Sequence, residues 1–197
     1  MSAPGTPRTP RTSPALRSAR LRLDPYAPAD EESFLGLFQQ AEVARWMGDG
    51  LAPEAEDRAL FGRIFSRVYA GGLFDVWAVR LRDAAAPGGH RYVGHAEVKP
   101  SGAVPGGHEI IYALDPAAWG RGLGAELAAA LVAYGFGELG LAEVHATVAA
   151  PNSGSLAVLD RLGFRHVRDL AEEDGSTTRL LALGRERAAR GGPAPGC

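Results

Sequence analysis

Apolar positions along the chain recur with two periods, and the change from one to the other divides the sequence into elements. Arg20-Leu21-Arg22-Leu23 alternates and predicts a short strand, after which Pro25 and Pro28 turn the chain. Asp30 is positioned to cap a helix, with Glu31 and Glu32 in the first turn where the helix dipole favours acids. Phe34, Leu37, Phe38 and Ala41 then recur at i, i+3, i+4 and i+7, giving that helix one buried face. A second helix is expected from about Pro53, with Leu60, Ile64 and Val68 in one row and Phe61, Phe65 and Tyr69 in the next, a broad core stripe. Residues 74–81 are apolar on both faces of a strand, which requires cover on both sides. Residues 92–98 and 108–114 read as further strands, separated by the Gly/Pro turn at 102–107. Three strands in series predict an antiparallel meander.

The period then lengthens. Residues 122–137 predict a helix with Leu123, Leu127, Leu131 and Tyr134 on one face, followed by a strand in which Val144, Ala146 and Val148 alternate. A strand–helix–strand unit of this kind places its strands parallel, with a right-handed crossover. A second helix over 153–162 ends at Gly163, and 164–168 with 177–183 form a closing hairpin around the polar loop 172–176. The expected fold is α/β (α+β): one domain over residues 20–184, with a mixed sheet of six or seven strands and helices on both faces. Residues 1–19, punctuated by Pro4, Pro7, Pro10 and Pro14, and residues 185–197 are expected to be disordered.

Composition narrows the function classes. A chain of 197 residues with 46% hydrophobic content fits one domain with tails. Its formal net charge is −2, so no global basic field draws it to nucleic acid or to an anionic membrane. No apolar run approaches the roughly 18 to 20 residues of a membrane helix. The one cysteine is Cys197, at the end of the sequence, so no intramolecular disulfide forms and a reducing, cytoplasmic setting is expected. His, Asp and Glu form no ligand-spaced cluster, so no metal is implied.

The stretch Asp115-Pro116-Ala117-Ala118-Trp119-Gly120-Arg121-Gly122-Leu123-Gly124-Ala125-Glu126 lies between a strand and the long helix. Its glycines let backbone approach a ligand closely, and the free N–H groups and positive dipole end of the helix make an anion site. A pyrophosphate is the natural guest, with Arg121 available for a charge-assisted contact. Gly120, Gly122 and Ala125 also satisfy the dinucleotide pattern G-x-G-x-x-A, but here five residues separate strand from glycines and Glu143 opens the next strand instead of ending it. No Gly-Lys-Ser/Thr is present, which excludes a Walker loop.

Three segments together, His108-Glu109-Ile110-Ile111-Tyr112-Ala113-Leu114-Asp115-Pro116, then Trp119-Gly120-Arg121-Gly122-Leu123-Gly124, then Asn152-x-x-Ser155 leading to Leu162-Gly163-Phe164, resemble the GNAT superfamily of N-acetyltransferases, in its RimJ/RimL-like branch. The resemblance extends more weakly from about Arg20 to Leu183. It implies a sheet with acetyl-CoA wedged where the strands near His108 and Val144 diverge, its pyrophosphate on the amides from about Arg121 to Ala125. Leu114, Trp119, Gly120, Arg121, Gly122, Leu123, Gly124, Ala125, Asn152 and Ser155 are the residues it places around that cofactor. Many members carry a tyrosine in the helix after Asn152 that protonates the leaving thiolate; this chain has Leu159 there, and Ile111 where glycine is common.

Acetyl transfer to an amine needs a neutral amine, a donor for the developing oxyanion and stabilisation of the leaving thiolate. Glu109, a carboxylate inside a central strand, is the candidate base, with His108 and Glu97 in reserve. Ser155 is the candidate donor to the thiolate, and the oxyanion donor is a backbone N–H near Ile111 or Tyr112. The acceptor, a protein N-terminal amine or a small-molecule amine, is expected between the first two helices, near Phe38, Trp46 and Met47, and the loop 172–176. The rival reading is a non-catalytic acyl-CoA-binding regulatory module, and a weaker one a nucleotide oxidoreductase. A homodimer is compatible with every one of these features.

Overall fold

The computed structural model describes residues 12–48 and 50–191. The expected disorder of residues 1–11 and 192–197, and Cys197 itself, fall outside them. In chain order the elements are β1 (Leu16–Arg17), β2 (Leu21–Asp24), α1 (Glu31–Phe38), α2 (Ala41–Ala44), α3 (Glu54–Arg63), β3 (Asp75–Arg82), β4 (His90–Pro100), β5 (His108–Leu114), α4 (Leu123–Gly137), β6 (Glu143–Ala149), α5 (Ser153–Arg161), β7 (Arg165–Ala171), β8 (Thr177–Gly184) and α6 (Arg185–Gly191). The strands form one sheet of eight in the order β1-β2-β3-β4-β5-β6-β8-β7. The meander β2 to β5 is antiparallel throughout, and β5 and β6, which flank α4, are parallel. The closing hairpin inserts β8 beside β6 and leaves β7 at the edge.

Each face of the sheet carries its own core. On one side Leu21, Leu23, Trp77, Val79, Ile110 and Leu114 meet Leu123, Leu127 and Leu131 of α4 and Leu159 of α5. Leu123, Leu127 and Leu131 are at most 1% exposed, and full burial of such a side chain contributes about 1.5 to 3 kcal/mol. On the other side Tyr26, Phe34, Leu37, Phe38, Phe61, Ile64 and Tyr69 pack over Val76, Ala78 and Ala113.

The structure departs from the sequence expectations in four places. Ordered chain begins before Arg20: the Ser13 hydroxyl accepts the Val76 N–H at 2.9 Å, the Trp77 indole N–H donates to the Pro14 carbonyl at 2.6 Å, and β1 adds a strand to the edge of β2. A fully buried Trp77 needs an acceptor for its indole N–H, and the segment before Arg20 supplies it. Residues 185–191, expected to be disordered, form α6, where Arg187 donates to the Gly163 carbonyl at 2.9 Å. The first helix stops at Phe38, so Ala41 begins the separate α2 and is exposed; the Asp30 carboxylate accepts from the Ala27 N–H and pairs with Arg80 at 2.6 Å instead of capping α1. Finally, α3 runs on as a π-helical turn, Ile64–Tyr69, which rotates the stripe so that Phe61, Ile64, Val68 and Tyr69 are buried while Leu60 is 40% exposed.

Candidate active site

The parallel pair opens the sheet. β5 and β6 share a single ladder partnership, Glu109 with His145, whereas β4 pairs with β5 all the way from Pro100↔His108 to Gly94↔Leu114. Where that ladder stops, a cleft of about 800 Å³ opens. Its walls are the end of β5 (Tyr112, Ala113, Leu114), the mouth of α4 (Trp119, Gly120, Gly122, Leu123, Gly124, Ala125), the start of α5 (Asn152, Ser153, Gly154, Ser155, Val158, Arg161) and, across the opening, Val43, Arg45, Trp46 and Met47.

The α4 mouth is built by local chemistry. Asp115 accepts the Ala117 N–H at 2.8 Å and so starts a short 3-10 turn, Pro116–Ala118; the Trp119 indole N–H then donates to the Leu114 carbonyl at 2.7 Å, tying the loop to the end of β5. Gly122 takes φ 74°, a left-handed conformation open to glycine, and serves as the helix N-cap. Among the described residues no acceptor is found for the N–H groups of Leu123, Gly124 and Ala125, so the first turn presents free amides to the cleft.

A cation stands at this mouth that the sequence reading placed only on a strand. Arg20 Nη1 donates to the Arg121 carbonyl at 2.9 Å, its Nε pairs with Glu126 at 2.7 Å, and its other terminal nitrogen lies 3.6 Å from where a Cβ on Gly122 would stand. Burial alone would raise the Glu126 pKa, but hydrogen bonds from the Ser18 hydroxyl and from Arg20 outweigh it and hold the carboxyl below the usual carboxylate range. Arg121 itself is exposed and its side chain is not part of the cleft wall.

At the opposite wall, the Asn152 side-chain Oδ1 accepts the Ser155 N–H at 3.1 Å and caps α5, which sets Ser155 at the cleft. It faces Tyr112. Burial pushes the Tyr112 phenol up to about 12, with Ser155 pulling the other way.

On the α1 and α3 side of the sheet the polar groups form a chain. His95, 3% exposed, contacts the Tyr26 hydroxyl through Nδ1 at 3.0 Å and Glu97 through Nε2 at 3.0 Å; Tyr26 in turn meets the Tyr92 hydroxyl at 3.0 Å. Burial works against the Glu97 charge, but the His95 hydrogen bond and Lys99 outweigh it, and its pKa is lowered. Glu109, 6% exposed, sits on the same face where β5 and β6 meet, accepting from the Ser101 hydroxyl at 3.2 Å and from the Thr147 hydroxyl across the wedge at 3.5 Å. It is at the apex of the wedge and does not form part of the cleft wall. The ladder registers Glu97 opposite Ile111, one strand away from that apex.

Nine of the ten residues expected around the cofactor line one cleft, all but Arg121, and Trp46 and Met47 face it from the acceptor side. Phe38 does not: it is buried, its ring centroid 4.5 Å from that of Phe34 in a tilted pair and 5.3 Å from that of His95 in an edge-on one. Loop 172–176 is exposed and also apart from the cleft wall. His108 has a buried Nδ1 without a partner among the described residues, while its carbonyl meets His145 Nδ1 at 3.2 Å. Sequence reading missed the Arg20 guanidinium, the Tyr112 side chain, Arg45 and Arg161. Among the described residues no group of three or more His, Cys, Asp or Glu side chains is placed to hold a metal ion.

A mixed sheet whose parallel strands separate beside the amide-lined mouth of a helix defines an α/β protein with an anion-accepting helix mouth at its cleft. The pattern of the acetyltransferase (GNAT) domain matches residues 20–165, so the chain belongs to the GNAT acetyltransferase family and is an enzyme of acetyl transfer. The chain is 29% identical over 153 residues to an uncharacterized N-acetyltransferase, YoaA, of Bacillus subtilis, covering 77% of this chain and 83% of that one. It is also 29% identical over 174 residues to the FsC-acetyl coenzyme A-N(2)-transacetylase of Aspergillus fumigatus, covering 81% of this chain and 68% of that protein. Among solved structures, a GNAT-family acetyltransferase from Bacillus anthracis superposes with a TM-score of 0.72 at 21% identity over 87% of this chain and 99% of that one. RimJ of Mycobacterium smegmatis, in complex with CoA-disulfide, gives 0.71 at 23% identity over 92% and 93%. These superpositions establish the common fold.

Proposed function

We propose that this protein transfers the acetyl group of acetyl-CoA directly to a primary amine, either a protein N-terminus or a small molecule, as a member of the RimJ/RimL-like branch. One observation carries the reading: free amides of the first α4 turn face a cleft that opens where the β5–β6 ladder ends. The residues present fit the group. Gly122 and Gly124 leave room for phosphate oxygens, Arg20 adds positive charge beside them, and the N–H groups of Leu123, Gly124 and Ala125 lack other acceptors among the described residues. Trp119, Leu114, Asn152 and Ser155 would hold the rest of the cofactor, which supplies an activated thioester.

The remaining chemistry belongs to this chain. Trp46 and Met47 would admit the amine from the α2 side. Glu109, on the acceptor face at the wedge apex, would receive the amine proton directly or through water; Glu97 is the competing base, kept ionised by His95 and Lys99. A backbone N–H of β5 near Ile111 would donate to the charge developing on the thioester oxygen. Relatives support an amine acceptor of either kind: one is named for N(2)-transacetylation of FsC, and a structure of the same fold is described as an alpha-N-protein acetyltransferase of ribosomal L7/L12.

The test incubates the protein with acetyl-CoA and a panel of polyamines, amino acids, aminoglycosides and short peptides with free N-termini, following thiol release. Amine-dependent release with at least one member is expected, and Glu109→Gln should lower kcat about 10²-fold or more with little change in acetyl-CoA affinity. If Glu97→Gln does so and Glu109→Gln does not, the base is reassigned. Absence of any binding of CoA or acetyl-CoA to the protein overturns the reading.

A further inference from the structure

We propose that Tyr112 donates the hydrogen bond that stabilises the departing CoA sulfur, an inference that rests on the acetyl-transfer reading of the cleft. The starting observation is an orphan. The Tyr112 hydroxyl is buried, forms part of the cleft wall, and has no hydrogen bond of ordinary geometry among the described residues, although the Ser155 hydroxyl faces it. A buried hydroxyl without a partner costs about 1 to 3 kcal/mol relative to one that is paired. The protein gains little from it in the free state, since a phenylalanine would fill the same space and forgo only the approach of the Ser155 hydroxyl.

Position says which ligand atom would satisfy it. Side chains alternate along β5: Glu109 and Ala113 point to the α1 and α3 face, while Ile110, Tyr112 and Leu114 point to the α4 face. A thioester lying in the wedge is therefore approached by the amine from the Glu109 side, and its sulfur leaves toward Tyr112 and the start of α5. Apolar packing against the α4 core surrounds the phenol, which strengthens any hydrogen bond to an anion there. Because burial keeps the group neutral well above working pH, it is always charged with its proton.

The step balances without a further reagent. The amine nitrogen bonds to the acetyl carbon, the carbon–sulfur bond breaks with its electron pair on sulfur, and the amine proton passes to the carboxylate on the opposite face. Tyr112 keeps its proton throughout as a hydrogen-bond donor; the thiolate takes a proton from water on release, and the carboxylate returns its proton to solvent, which restores the starting charges.

Free CoA is the probe, because its thiol reports the contact without an acceptor amine. Wild-type protein, Tyr112→Phe and Ser155→Ala are compared by thermal melting without ligand, by calorimetric binding of CoA, and by the pH dependence of alkylation of the bound thiol. Tyr112→Phe should melt at or above the wild-type temperature and bind CoA within about threefold of wild type. It should raise the pKa of the bound thiol by about one, the amount expected for loss of one hydrogen bond to a thiolate. With an accepted amine, kcat should fall about 10- to 100-fold. The proposal is overturned if Tyr112→Phe leaves the bound thiol pKa unchanged, if it lowers the melting temperature by several degrees, or if Ser155→Ala alone carries the shift. If CoA does not bind the wild type, the acetyl-transfer reading falls first.

Discussion

Arg20 and Glu126 offer a paired perturbation whose two halves must move CoA affinity in opposite directions. The Arg20 guanidinium lies 2.7 Å from Glu126, with side-chain exposures of 48% and 15%, and reaches the Arg121 carbonyl beside the α4 mouth. A pair this exposed contributes only ~0.2 to 1 kcal/mol to the fold, so either substitution leaves the protein folded. Its effect on an anion at the mouth is larger, because that anion feels Arg20 and the free amides together. Arg20→Gln removes one partly screened cation, a loss of ~1 kcal/mol or roughly fivefold in Kd for CoA. Glu126→Gln removes the competing carboxylate while keeping an oxygen to accept from Ser18 and the Arg20 N–H, and should tighten CoA about threefold. The double variant should bind like Arg20→Gln, since Glu126 acts on the ligand through Arg20. Calorimetric titration at low and at about 1 M salt checks this, because at high salt a Debye length of about 3 Å should collapse the differences. Equal affinity of Arg20→Gln and wild type at low salt, or weaker binding by Glu126→Gln, refutes the assignment of Arg20 to the anion site.

Three further outcomes follow from packing and titration. Gly94→Ala would drive a Cβ into the Ala113 carbonyl across β4 and β5; the expected loss is about 3 kcal/mol in urea unfolding, the upper end for overpacking, and a loss below about 1 kcal/mol contradicts the strand spacing. Trp77→Phe removes the indole N–H from Pro14, so a loss of about 2 to 4 kcal/mol and new trypsin cleavage after Arg17 are expected. An unchanged digestion pattern denies that this bond holds the first strand. Glu97 and Glu126 both have pKa values lowered below 4.5 in the fold. The unfolded chain therefore binds more protons in that range, and their stabilisation is full above about pH 5 and lost as pH falls through the folded values. Melting temperature should drop with acid, and the drop should be shallower in Glu97→Gln; an identical slope in both proteins would show that Glu97 does not contribute.

The long-range order of the fold was legible where the pattern is dense and local. Residues 122–137 announced α4 because a glycine-rich stretch leads into a repeating leucine face, and the structure begins that helix at Leu123. The parallel β5–β6 pair followed from the helix between them. What escaped was set by distant partners. The segment before Arg20 reads as polar and proline-rich, yet Trp77, some sixty positions on, requires the Pro14 carbonyl. The eighth strand exists for that reason, since β1 is too short to show a period of its own. Phe38 shares its spacing with Phe34 and Leu37, and spacing alone does not say that this face turns into the core instead of toward an acceptor. Arg20 is one of many arginines in the sequence; only the approach of β2 to the α4 mouth distinguishes it.

The site follows the same division, and β5 shows why. The glycine motif is contiguous, so its free amides could be inferred from one stretch of sequence. Glu109 and Tyr112 stand three positions apart on one strand, an odd offset that puts them on opposite faces whatever the rest of the fold does. Alternation alone thus predicts that a carboxylate and a phenol on β5 cannot serve the same side of a bound thioester. Which of the two meets the amine depends on what covers each face. The α4 core closes the Tyr112 side around the cleft, and the aromatic layer of α1 and α3 leaves the acidic pair Glu97 and Glu109 on the other. The parallel ladder then ends just after Glu109, so the strand is free of β6 where Ile111 and Tyr112 need to face a ligand. Removal of charge from the amine and accommodation of charge on the sulfur are in this way assigned to two sides of a single strand, a separation dictated by pleat geometry before any side chain finds its partner.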